Sequence, residues 1–172
     1  NCANGTYRAA NNDASDCITV PNGQQGEDGS GAYASTGAVA AVNCVAGKYS
    51  TNGDGECQDV AAGKVGRTAV TATTGLADSI HQAGAAFEVG CYVGTFRAAN
   101  NDNSNCVDVA AGKVGRTAVT ATTGLADSIH QAGAAFAVDC ANGTYRAANN
   151  DASDCITVPN GQQGEDGSGA YA

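Results

Sequence analysis

Residues 2–17 read CANGTYRAANNDASDC. The stretch returns unchanged at 140–155, and in altered form as CVAGKYSTNGDGEC at 44–57 and CYVGTFRAANNDNSNC at 91–106. Each version opens on a cysteine, sets a glycine three residues on and an aromatic (Tyr7, Tyr49, Phe96, Tyr145) two residues after that. Each then runs through Asn, Asp, Ser and Gly to a second cysteine. Such residues build tight turns, because short polar side chains bond their own backbone and glycine accepts positive φ. The pattern predicts a β-hairpin: a short strand at the aromatic, an Asx-rich turn, and a return strand to the second cysteine.

Outward from this segment the repetition continues. A valine stands three residues after each second cysteine (Val20, Val60, Val109, Val158) and opens V-x-x-G-x-x-G, as in VPNGQQG and VAAGKVG. A Thr/Ala/Gly tract then leads to the next cysteine. Within it, the alternation and β-branched residues of TAVTATTG predict an extended strand. LADSIHQAGAAF, interrupted by Gly84 and Gly133, predicts a loop with at most one helical turn. Residues 1–34 recur at 139–172 with one change, Asn1 to Asp139, and DVAAGKVGRTAVTATTGLADSIHQAGAAF occurs at both 59–87 and 108–136. The chain therefore reads as an array of units at 1–43, 44–90, 91–139 and 140–172, each touching mainly its neighbours. Neither a starting Met nor a signal peptide is present, and the sequence stops in mid-repeat. Both features suggest a segment of a longer array in which 1–138 is one super-repeat.

Large apolar residues are scarce. Leu, Ile, Val and Phe make up about 14% of the chain, below the ~20% of ordinary core-forming composition. With a net charge of −9, such a chain needs another source of order. The eight cysteines supply it, as four pairs: Cys2/Cys17, Cys44/Cys57, Cys91/Cys106 and Cys140/Cys155. Strict repetition favours pairing within each segment, and a loop of about 15 residues closed by a disulfide gains roughly 3 kcal/mol. Zinc is disfavoured, since there is no C-x-x-C pair and the only histidines, His81 and His130, are one repeat position seen twice. The expected fold class is small disulfide-rich all-β repeats, an elongated rod of β-hairpin modules with little hydrophobic core. Disulfides place such a chain in an extracellular or cell-surface setting.

The motif pattern resembles the ephrin-receptor-like cysteine-rich repeats, relatives of the tumour-necrosis-factor-receptor and growth-factor-receptor modules. CANGTY, CVAGKY and CYVGTF match the family opening, NDASDC its S-x-C close, VAAGKVG its next half with Val for Cys, and TATTGLADS its T-G-A-T-S loop. The resemblance implies extracellular arrays that can act as receptor ectodomains. The departure is consistent: the second family pair is replaced on one side by Val20, Val60, Val109 and Val158, and on the other by Ala41, Glu88 and Ala137. Both members are lost together, so the Val-initiated halves must be held by contacts with neighbouring copies or by attached sugar.

The chemistry of catalysis is not legible. GKVGRT at 63–68 and 112–117 lacks the glycine and Ser/Thr of a phosphate-binding loop. Ser79, Asp78 and His81 are adjacent letters without a nucleophile elbow. No catalytic or metal residue is assigned and no enzyme activity is expected. The Asn/Asp loops carry too few carboxylates for a strong calcium site, leaving weak calcium binding open. Asn4-Gly5-Thr6 and Asn142-Gly143-Thr144 are N-glycosylation sequons, and the Thr tracts at 68–74 and 117–123 suit O-linked sugar. The sequence pI near 4.3 disfavours nucleic acid, and no apolar run is long enough to span a membrane as a helix. The expectation is a filament- or coat-forming extracellular glycoprotein that self-associates, with no cofactor beyond covalent glycans. A receptor or adhesin ectodomain binding a protein or glycan is the alternative.

Overall fold

The computed structural model describes residues 1–9, 16–51, 55–71, 73–98, 103–120, 123–147 and 152–165. Among these the chain is all-β, with two short 3-10 turns at Leu76–Asp78 and Leu125–Asp127. The first unit contains β1 (Thr6–Tyr7), β2 (Ile18–Thr19), β3 (Gln24–Glu27) and β4 (Ala40–Asn43). The second contains β5 (Lys48–Tyr49), β6 (Gln58–Asp59), β7 (Lys64–Arg67) and β8 (Phe87–Gly90). The third contains β9 (Thr95–Phe96), β10 (Val107–Asp108), β11 (Lys113–Arg116) and β12 (Phe136–Asp139), and the fourth β13 (Thr144–Tyr145) and β14 (Ile156–Thr157). The strands pair antiparallel two by two, β1 with β2, β3 with β4 and so on, giving a small and a larger hairpin in each of the first three units.

Both halves of a unit start with the same turn. In the first, Thr6 N–H donates to Ala3 O at 3.1 Å across Gly5, whose φ is +77°. In the second, Gln24 N–H donates to Pro21 O at 3.1 Å across Gly23, at φ +78°. This is the arrangement in which the third turn residue must adopt positive φ, and it explains the invariant spacing from Cys or Val to Gly. The two turns are then sewn together, with Val20 N–H donating to Gly5 O at 2.8 Å.

Two expectations need correction. The return strand of the small hairpin does not lead to the second cysteine but follows it: Tyr7 faces Ile18 and Thr6 faces Thr19. The Asx-rich turn itself lies at 10–15, 52–54, 99–102 and 148–151, outside the described residues. The extended strand expected at TAVTATTG is also displaced. The larger hairpin is built from the preceding KVGR, with Val65 opposite Val89 and Gly66 opposite Glu88. Burial decides between them: Val65 is fully buried, whereas Val70 is 72% exposed. Intrinsic strand preference yields to the segment with a face to pack. The 3-10 turn at Leu76–Asp78 agrees with the single helical turn expected in LADSIHQ.

The disulfides pair as the repeat predicts: Cys2–Cys17, Cys44–Cys57, Cys91–Cys106 and Cys140–Cys155. The half of each unit without a disulfide is held by a small apolar lock. Val60, fully buried, packs over Gly66 from one side and Ala85 from the other. A Cβ added at Gly66 would lie 2.9 Å from the Ala85 Cβ and 3.2 Å from Val60 Cγ2. Gly115 repeats this with Ala134 and Val109, and Gly26 with Ala38 and Val20. The accessible surface, 9056 Å², exceeds the roughly 7,700 Å² expected for a compact monomer of 16.8 kDa. Units meeting only their neighbours account for the excess.

The lock predicts that Gly66→Ala, at a backbone conformation open to any residue, destabilises by overpacking, by about 1–3 kcal/mol. Adding Ala85→Gly restores part of the loss. Urea unfolding of the single and double variants measures both, and equal stability of Gly66→Ala and wild type would reject the lock.

Candidate assembly interface between repeat units

The residues that the sequence repeats converge where one unit meets the next. At each junction the V-x-x-G glycine makes two backbone bonds to the following unit. Gly63 N–H donates to Arg97 O at 2.8 Å and Gly63 O accepts from Cys91 N–H at 2.8 Å. Gly23 does the same with Ser50 and Cys44, and Gly112 with Arg146 and Cys140. At the first two junctions no side chain fits over this glycine, whereas at the third a Cβ on Gly112 would meet nothing within 4 Å. A Cβ on Gly63 would stand 2.1 Å from Gly133 O, and one on Gly23 would stand 2.1 Å from Gly84 O.

Around this backbone seam lies a polar anchor that the sequence reading missed. Arg97, 1% exposed, donates from one guanidinium nitrogen to Val60 O at 3.3 Å, Ala61 O at 2.9 Å and Lys64 O at 3.3 Å. Its Nε donates to Ser104 O at 2.7 Å within its own loop. Arg146 repeats the set on Val109, Ala110 and Lys113, with Nε on Ser153 O. A planar fork of donors suits a cluster of turn carbonyls that no lysine could bridge in the same way. The available signal was the position itself: Arg8, Arg97 and Arg146 each follow the aromatic, and only the second unit has serine there, at Ser50.

Other buried groups complete the seam. Ser79, fully buried, accepts from Cys106 N–H through its carbonyl at 3.0 Å and from Tyr92 N–H through Oγ at 3.0 Å. Ser128 treats Cys155 and Ala141 alike. At the first junction Gln25 Oε1 takes this role, accepting from Cys57 N–H at 2.9 Å. Val65 packs against the Cys91–Cys106 disulfide, so a staple of one unit forms the floor of its neighbour. The Asp-Ser-Ile-His run is thus tied to backbone: Ser79 Oγ also donates to Gly75 O, and His81 Nδ1 accepts from Gly66 N–H at 3.0 Å. An imidazole accepting there is neutral at that nitrogen.

The half of the unit without a disulfide is tied by side chains. Glu88 accepts from Ala61 N–H at 2.7 Å and from Lys64 Nζ at 2.9 Å, joining turn to strand. Position 139 pairs with its cross-strand neighbour, Asp139 with Lys113. The equivalent Asn43 instead accepts from Gln24 Nε2 at 2.9 Å. At Asn43 and Asp139 the residue before the first cysteine therefore matches its cross-strand partner in kind, amide to amide or charge to charge.

In the loop beside this seam, Thr74 Oγ1 donates to the Asp78 carboxylate at 2.6 Å and the Thr74 N–H donates at 3.3 Å. These bonds, helped by the nearby Arg67, hold the Asp78 pKa below its ordinary value. Thr123 does the same for Asp127. Asn4 and Asn142 are exposed, and Asn4 Oδ1 accepts from Tyr33 OH at 3.0 Å. The Asn/Asp loops considered for weak calcium binding fall mostly outside the described residues.

No family model matches the chain, and no curated protein or solved structure matches it. The four disulfides are typical of secreted or extracellular proteins. Among the described residues no helix is long and apolar enough to cross a membrane.

Two outcomes follow. Arg97→Ala strands three carbonyls and costs about 3 kcal/mol at that junction. Hydrogen exchange at Gly63 then accelerates while Gly112 stays protected, because the units couple only to neighbours. Uniform loosening would contradict this. A lowered folded-state pKa means that the Asp78 and Asp127 loop contacts contribute above the ordinary carboxylate range and are lost as pH falls through the lowered value. Carboxyl chemical-shift titration of Thr74→Val and Thr123→Val should show the respective aspartate rising toward its ordinary pKa. An unchanged titration would remove the threonine as the cause.

Proposed function

We infer that this chain is an extracellular structural repeat protein, a filament- or coat-forming glycoprotein of a cell surface, appendage or matrix. The observation that carries this reading is the junction itself. The repeated glycines Gly23, Gly63 and Gly112, with Arg97, Arg146, Ser79 and Ser128, join one unit to the next. A chain whose distinctive residues serve succession of like units is suited to building length. Repetition without closure is the condition for an open fibre. The exposed Asn4 and Asn142 sequons support covalent glycan on its flanks. The receptor or adhesin reading has the family resemblance behind it, as an extracellular array with a ligand.

Negative-stain microscopy of the native material tests the structural reading. Fibres or sheets with a regular axial repeat are expected, with a mass loss at Asn4 and Asn142 on enzymatic removal of N-glycans. Monodisperse single particles that capture a soluble protein or glycan would overturn it in favour of the receptor reading.

A further inference from the structure

The larger hairpins of the second and third units each carry a threonine-rich loop tip, at 68–74 and 117–123, that takes no part in the seam. Its base is fixed. The Arg67 guanidinium donates to Asp78 O. Thr68 donates to Gln82 Oε1 from its N–H at 2.9 Å and from Oγ1 at 3.0 Å. Arg116 with Asp127, and Thr117 with Gln131, repeat both ties. Beyond the base, Thr71 N–H donates to Ala69 O and Thr120 N–H to Ala118 O, each at 3.0 Å, so the chain reverses in a three-residue turn. Residues 68–71 and 117–120 are all exposed.

The threonine hydroxyls of this tract divide into two kinds. A hydroxyl has one hydrogen to give and two lone pairs with which to receive. Thr68 gives its hydrogen to Gln82, Thr73 to Gly90 O at 2.9 Å and Thr74 to the Asp78 carboxylate at 2.6 Å. Thr117 and Thr123 do likewise with Gln131 and Asp127, while Thr122 lies outside the described residues. The Thr71 hydroxyl makes no hydrogen bond among the described residues. The Thr120 oxygen receives, from the Arg116 guanidinium at 3.4 Å. Another group in place of the hydrogen would break a bond at Thr68, Thr73 or Thr74, and none at Thr71 or Thr120. Beside these two hydroxyls stand the most exposed large apolar side chains of the described residues, Val70 and Val119, each 72% exposed.

We propose that Thr71 and Thr120 are O-glycosylation sites, one on each loop tip, with the attached sugar lying over Val70 or Val119. Threonine Oγ1 attacks the anomeric carbon of an activated sugar carried on a nucleotide or lipid phosphate. A new carbon–oxygen bond forms and the bond from that carbon to the phosphate oxygen breaks. The phosphate leaves with the electron pair, and the hydroxyl proton passes to a base of the transferase. The glycosidic oxygen keeps its lone pairs, so Thr120 still receives from Arg116. This proposal rests on the reading of the chain as a glycoprotein and reduces each threonine tract to one acceptor.

Peptide mapping of the native material tests it. After enzymatic removal of N-glycans and reduction, trypsin releases residues 68–97 and 117–146, whose sequences differ beyond the loop and are told apart. Fragmentation that leaves sugars attached is expected to place a hexose or N-acetylhexosamine on Thr71 and on Thr120. Thr71→Val, made in the producing cells, should lose that mass from 68–97 and keep it on 117–146. The Asp78 carboxyl should titrate alike before and after removal of the sugar, because Thr74 keeps its hydrogen. Sugar found instead on Thr68, Thr73 or Thr74, or both fragments at their unmodified mass, would overturn the assignment. Unmodified fragments alongside fibres and N-glycan at Asn4 would sink this proposal alone. Unmodified fragments with neither would sink the glycoprotein reading as well.

Discussion

The structure depends on one repeated pair of backbone bonds, made by the V-x-x-G glycine to the following unit. Gly63 bonds to the peptide groups of Arg97 and Cys91, as Gly112 does to those of Arg146 and Cys140. At Gly23 and Gly63 the following unit also comes so near that a Cβ would sit 2.1 Å from a carbonyl oxygen. The same junction sets the guanidinium of Arg97 on the turn carbonyls. A chain with few large apolar residues cannot hold its units together by area alone. Satisfied backbone hydrogen bonds in a dry seam, fixed by a buried arginine, do part of what a core does elsewhere.

The same economy runs through each unit. A disulfide holds the small hairpin, while valine, glycine and alanine hold the larger one. Val60, Gly66 and Ala85 hold the larger hairpin together through a contact of methyl size. The remaining variation is absorbed by side-chain pairs within the larger hairpins. Asp139 with Lys113 and Asn43 with Gln24 serve one position with two chemistries, and Glu88 reaches Lys64 from a neighbouring position. Units that differ in sequence can therefore share a backbone.

Much of this was legible in the letters. Four cysteine pairs, a glycine three residues after each Cys or Val, and identical blocks fixed the hairpin repeat, the staples and the succession of units. The strand at TAVTATTG was misplaced because threonine and β-branched content measure local preference, and Thr68 and Val70 have no face to bury against. The return strand was set on the wrong side of the second cysteine because spacing does not reveal whether a staple precedes or follows the pairing. Arg97 and Ser79 were overlooked because a lone basic or hydroxyl residue in an acidic chain reads as a solvated surface. Their carbonyl and N–H partners lie in another unit, dozens of residues away.

The sequence by itself determined what is periodic: disulfide pairing and turn positions, both set by contacts within a short stretch of chain. The tertiary structure alone decided how the units join. Burial of Arg97 and the roles of Ser79 and Gln25 arise only when one backbone lies against the next. These are properties of a seam between segments, and no local propensity encodes which carbonyls a guanidinium will meet.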